Sequence, residues 1–144
     1  MRLREQRRRF SVWDAPDKTV ALGALLAAIR RHGTPEVGLP AGPGFFQFSD
    51  PAACERLLLG AGFETPVVTQ VLQVWRVPNP DAAFETLLHA TVRTRAMLLA
   101  QTAEALVRIR AAMHEALAPY RGDDGYVLPM PAVLAAAARP AGLA

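Results

Sequence analysis

The sequence holds a single cysteine, Cys54, among 144 residues. That excludes an internal disulfide and a cysteine-built zinc site, and it fits a reducing cytoplasm. No apolar run approaches the ~20 residues that span a bilayer. The arginines at the N-terminus are not followed by the apolar segment of a secretory signal, and no membrane partner is expected. There is no Gly-x-Ser-x-Gly elbow for a nucleophilic serine. The histidines, His32, His89 and His114, are read as having no second histidine or acidic residue at metal spacing on a shared face, so no metal site is expected. One glycine spacing suggests a nucleotide turn, Gly42-Pro43-Gly44. It sits in a proline-rich loop rather than between a strand and a helix, and so fails the context such a turn needs.

What is present is a chain 51% hydrophobic, long enough for one domain with a real core, with a modest net charge of +3. Five arginines fall within Met1–Arg9. That run reads either as a contact to a polyanion or anionic lipid, or as a solvated, frayed terminus. No aromatic is interleaved and no recognition fold follows, so residues 1–9 are expected to be a disordered basic terminus and nucleic acid is not an expected partner.

The rest alternates helix and strand signals. Arg9–Trp13 is short, alternating and aromatic. Val20, Leu22, Leu25, Leu26 and Ile29 mark a helix over Asp17–His32, ended by Gly33. Thr34–Gln47 is a long loop, closed by Phe45, Phe46 and Phe48, which either pin it to the core or wall a flat apolar substrate. Ser49-Asp50-Pro51 starts a helix, because a serine or aspartate side chain accepts from the free N–H groups of the first turn and proline tolerates that turn. Gly60 and Gly62 fit its left-handed end. Val67–Trp75 has strand chemistry. Two helices follow, Ala82–Arg93 and Glu104–Ala118, the first capped by Asn79 or Asp81 and the second by Thr102. Asp123-Asp124-Gly125 reads as a turn and Tyr126–Pro131 as extended. Over Ala132–Pro140 alanine propensity predicts helix.

The order of FSDP (Phe48–Pro51), a helix ending in the pattern LLxxAGF (Leu57–Phe63), a strand ending in Trp75 and the break Pro78-Asn79-Pro80-Asp81 resembles the C-terminal half of class I S-adenosylmethionine-dependent methyltransferases. The similarity is to the small-molecule branch that includes ubiquinone/menaquinone C-methyltransferase-like proteins, and it covers Phe10 to Pro140. The resemblance implies an α/β fold: a partial Rossmann-like sheet of C-terminal strands in the order 5-7-6, with an inserted helical pair at about 80–121 that roofs the active site. Arg9–Trp13 would be the fifth strand, Val67–Trp75 the sixth, and Ala132–Pro140 the seventh, antiparallel between them. Strand is therefore expected over Ala132–Pro140 against propensity, since small residues suit a central strand.

The resemblance also implies a small-molecule methyl acceptor and S-adenosylmethionine as cofactor, although the glycine turn that holds the cofactor is not on this chain. Pocket-wall candidates are Trp13, Phe45, Phe46, Trp75, Phe84 and His89; no catalytic residue is assigned. Arg93, Arg95, Arg108 and Arg110 read as a basic strip facing an anionic substrate group or as a solvated face. Cys54 reads as a small buried hydrophobe. The expected function is the substrate-side portion of a small-molecule methyltransferase, inactive alone; the alternative is a non-enzymatic small-molecule-binding or protein-interaction module. The fifth strand's other edge, Phe10–Trp13, is left bare, so self-association or a companion chain is expected there.

Overall fold

The computed structural model describes residues 6–139. In chain order these form β1 (Gln6–Trp13), α1 (Val20–His32), α2 (Pro51–Gly60), β2 (Glu64–Val71), β3 (Val74–Val77), α3 (Pro80–Ala90), α4 (Arg93–Leu99), α5 (Ala103–Leu117), β4 (Arg121–Gly122), β5 (Gly125–Pro129) and β6 (Ala132–Arg139). The fold is mixed α/β with two three-stranded antiparallel sheets and five α-helices among the described residues. They divide into two compact units: residues 6–15, 43–73 and 131–139, and residues 16–42 and 74–130.

The first unit is the sheet β1-β6-β2 with α2 on one face. β6 pairs antiparallel with both neighbours, setting Phe10 and Val68 opposite Ala135, and Ser11 and Thr69 opposite Leu134. The helix propensity of its alanines is overridden by two ladders of backbone hydrogen bonds. The order is the one the resemblance implied for these three strands. Alternation along β6 sends Val133, Ala135 and Ala137 into a core with Cys54 and Leu58 of α2, flanked by Phe10, Val12, Phe48, Phe63 and Val68. α2 forms where its cap signals lie. The Asp50 carboxylate accepts from Ala52 N–H at 3.0 Å, whereas the Ser49 hydroxyl donates to the Phe46 carbonyl at 2.8 Å. Of the two expected left-handed glycines only Gly62 has positive φ (78°); Gly60 is still helical. Thr65 has φ 47°, a strained conformation for a β-branched residue, next to a bulge between Glu64 and Val67.

Two expectations are corrected here. Gln6–Arg9, expected within a frayed terminus, belong to β1 and pair with Ala136–Arg139; Met1–Glu5 lie outside the described residues, as does Pro140. The single strand expected over Val67–Trp75 is two, because the chain changes sheets at Leu72-Gln73. β2 ends at Val71, and β3 pairs with β5, Trp75 opposite Leu128. A continuous run of β-branched residues carries no mark of which partner each half will take.

In the second unit α1 packs on α5 through Ala21, Leu22, Leu25, Ala28 and Ile29 against Ala105, Ile109, Met113 and Leu117. α1 starts at Val20, not Asp17, with Thr19 as its buried cap residue. The inserted pair of helices is three. The Thr91 hydroxyl donates to the Leu87 carbonyl at 2.7 Å and accepts from Arg95 N–H at 3.2 Å, which closes α3 and opens α4. Thr102 caps α5, accepting from Ala105 N–H at 3.2 Å, and Asn79 caps α3, accepting from Ala82 N–H at 2.8 Å. The Gln101 amide ties down the start of the long loop, accepting from Thr34 N–H and donating to Thr34 C=O, both at 2.8 Å. The sheet order here is β3-β5-β4.

Gly23 is required by space: a Cβ there would lie 1.9 Å from the Pro16 carbonyl oxygen. Gly23→Ala is therefore expected to cost about 1–3 kcal/mol, as overpacking against backbone does, read as a lowered midpoint in urea with unchanged slope. Thr65→Gly relieves about 1–2 kcal/mol of left-handed strain against about 0.5–1 kcal/mol of chain entropy. It should be neutral to slightly stabilising in the same assay, whereas Thr65→Val should not be.

Candidate functional site

The C-terminal end of β1 carries the most specific polar arrangement. Trp13 closes the strand opposite Ala132 and is 38% exposed. Asp14 follows and is buried. Its N–H donates to the Pro131 carbonyl at 3.1 Å, its Oδ1 accepts from Ala15 N–H at 2.7 Å, and its Oδ2 accepts from Nε2 of Gln70 on β2. The carboxylate thus links the strand ends on either side of β6. Its oxygens are used in positioning, not held ready for proton transfer. An open groove of about 300 Å³ lies here, lined by Ser11, Val12, Trp13, Gln73 and Ala132. An indole, a hydroxyl and an amide at one open edge suit a flat, partly apolar molecule.

Phe45 and Phe46 belong to the same unit and meet edge to face, centroids 4.8 Å apart at 77°. Phe45 is 57% exposed. Phe48 instead meets Phe10 at 6.1 Å and joins the core. The aromatic trio therefore divides: Phe48 pins the loop, and Phe45 offers its ring outward.

The other three candidates lie in the second unit. Trp75 is half-buried on β3. Phe84 is a buried residue of α3 whose ring lies 3.9 Å below the Arg110 guanidinium, a cation–π contact rather than a pocket wall. His89 is exposed. Its Nε2 is 3.4 Å from Glu85 and its Nδ1 is 3.2 Å from Arg95. Glu85 and His89, one turn apart, do share a face, contrary to the reading that no histidine has an acidic neighbour; no metal-binding group of three or more His, Cys, Asp or Glu occurs among the described residues.

Around Phe84 the charges form a network. Arg110 pairs with Glu85 and, at 3.4 Å, with Asp81; His114 Nε2 is 3.0 Å from Asp81. The hydrogen bond to His114, with help from Arg110, holds the Asp81 carboxyl below the usual range, and the bond to Arg110 does the same for Glu85. Arg93 donates to the Pro40 carbonyl at 3.0 Å. The basic strip is thus engaged within the chain at Arg93, Arg95 and Arg110. Burial pushes the Cys54 thiol up, and its Sγ donates to the Phe48 carbonyl at 3.1 Å, as a buried small hydrophobe would. Asp123 and Asp124 form the turn between β4 and β5, beside Arg76 in a groove of about 400 Å³.

The residues were also tested for fit to S-adenosylmethionine. Gly42 and Gly44 are in exposed coil and neither has positive φ. The strand-to-helix junctions, residues 14–19 and 78–79, contain no glycine. No described segment forms the tight turn that brings backbone N–H groups and a helix N-terminus to such a cofactor. The chain's residues do not fit it. No protein-family model matches this chain, and a search of curated proteins returns no match.

Of the site residues, Trp13 was marked by its place at a strand end. Asp14, Gln70 and Gln73 were not: a buried aspartate differs from a turn aspartate only in what folds over it. Arg110→Ala removes a partner from two carboxylates and the cover from Phe84. As these groups are near half exposed and screened, the expected cost is about 1 kcal/mol. Asp81 and Glu85 have depressed folded pKa values, so their contribution is present above the ordinary carboxylate range and lost as pH falls through the folded values. Stability should drop below about pH 4, less steeply in Arg110→Ala, as read by urea unfolding across pH.

Proposed function

We propose that this chain is the substrate-side portion of a class I S-adenosylmethionine-dependent methyltransferase acting on a small molecule, and that the cofactor is held by residues outside it. The observation that carries the reading is the placement of β6 between β1 and β2, antiparallel to both, with β1 and β2 parallel to one another. An antiparallel final strand between two parallel ones is an uncommon order, and it is the one that the sequence resemblance implies. Trp13 and the groove beside it supply an acceptor surface at the carboxyl end of β1, where open α/β sheets place ligands. In such a reaction the chain's own contribution is positioning. Trp13 stacks on the acceptor, Ser11 and Gln73 orient its polar edge, and the Asp14–Gln70 bond holds the strand ends in place.

The groove also favours a second reading, a non-enzymatic module that binds a flat apolar molecule. The test is titration calorimetry in two samples: this chain alone, and this chain fused behind the cofactor-binding half of a small-molecule class I methyltransferase. The chain alone should give no saturable heat with S-adenosylmethionine. In the fusion, the cofactor should raise the unfolding midpoint reported by Trp13 fluorescence, with Trp75→Phe removing the second indole. Saturable binding by the chain alone, or a fusion whose Trp13 midpoint ignores bound cofactor, sinks the methyltransferase reading. Stabilisation by hydrophobic small molecules in the latter case selects the module.

A further inference from the structure

β1 is paired on one side only. β6 takes that side along all eight residues, and no described strand takes the other. Arg7, Arg8, Arg9, Ser11 and Trp13 are exposed along it. An edge of this length, with no proline and no bulge in its pairing, is a template for another strand. Its composition selects which. The arginines fill the first half, and Ser11, Val12 and Trp13 the second. Parallel in-register stacking would set each arginine against its own copy, which is destabilising.

In an antiparallel pair, opposite residues share a sheet face and the same hydrogen-bonding role, and both alternate with period two. A strand pairing with its own copy can therefore oppose only residues of the same parity. Registers centred on Arg7, Arg8 or Arg9 oppose arginine to arginine. The register centred on Phe10 opposes Arg9 to Ser11, Arg8 to Val12 and Arg7 to Trp13. It is the longest overlap that opposes no two arginines, and it brings a guanidinium to an indole across the strands.

We infer that a second copy of this chain pairs its β1 antiparallel to β1 in the register centred on Phe10, joining two three-stranded sheets into one of six strands, β2-β6-β1-β1-β6-β2. The contact is isologous and closes after two copies, so the arginine run selects a dimer over an open-ended stack. The inference does not rest on the functional reading above. A companion strand arriving at the same edge would displace the second copy.

The test joins sedimentation of the unaltered chain to crosslinking of two variants, Arg9→Cys and Ser11→Cys, with a short thiol-to-thiol reagent. Both sites are exposed, and the native Cys54 is buried beyond the reagent's reach. Opposite residues lie about 5 Å apart at Cβ and diagonal ones about 7–8 Å. A mixture of the two variants should therefore crosslink several-fold more than either alone, and the unaltered chain should show a concentration-dependent dimer. Three results would overturn the proposal: a chain monomeric throughout the concentration range, equal crosslinking within the Arg9→Cys sample (a register centred on Arg9), or a monomer that crosslinks through Arg9→Cys only to an added acidic peptide.

Discussion

The double pairing of β6 is the constraint on which the first unit depends. Ala132–Arg139 hydrogen-bonds to Gln6–Trp13 on one side and to Glu64–Val71 on the other. Remove it and neither neighbour has a described strand to pair with. Three segments from the two ends and the middle of the chain must meet before any of these bonds forms, so loop-closure entropy is met first and recovered together. Alternation then makes one face of the sheet a core. Val133, Ala135 and Ala137 are small or β-branched, and their size lets Cys54 and Leu58 of α2 lie close on them. Even the cysteine is spent on packing.

The second unit is held in a different way. Its interior is the helical contact of α1 with α5 and the residues of α3 around Phe84, and its polar network is peripheral. Arg110 stacks on Phe84 and gathers Asp81 and Glu85 around it, so the guanidinium does more as a cover for an aromatic ring than as a charge. A basic strip waiting for an anionic substrate would show arginines aimed at solvent with nothing opposed; Arg93, Arg95 and Arg110 are bound to carbonyls, a histidine and carboxylates of the same chain.

These two economies bear on function. The aromatic residues that sequence reasoning grouped as pocket walls are spent unequally: Phe84 is core, His89 is tied at both ring nitrogens, and Phe45 and Trp13 keep exposed rings. What distinguishes the end of β1 is a buried carboxylate whose oxygens fix the ends of β1 and β2, with an open groove alongside. That is a frame for holding a molecule, without a group poised for chemistry. It suits a part that positions an acceptor while the reactive group comes from elsewhere.

Local chemistry determined a good deal on its own. Asp50-Pro51, Asn79-Pro80 and Thr102 start their helices where short side chains meet free N–H groups. The apolar spacing of Val20–Ile29 and of Ile109, Met113 and Leu117 gave the core faces of α1 and α5. These features are legible because cause and effect lie within a turn or two of chain. Tertiary structure alone decided the rest. Val67–Trp75 was cut at Leu72-Gln73 because its halves pair with different strands, and Gln6–Arg9 became strand because β6 lies beside them. Ala132–Arg139 became strand despite its alanines, which resemblance foresaw and propensity did not. Thr91 ended a helix through a hydroxyl bond that many mid-helix threonines also make. Asp14 became the centre of a site because Gln70, fifty-six residues away, came within reach of it. In each case the deciding partner is distant in sequence, and the energy of a backbone ladder or a buried hydrogen bond exceeds the few tenths of a kcal/mol, roughly, by which single residues prefer one local state.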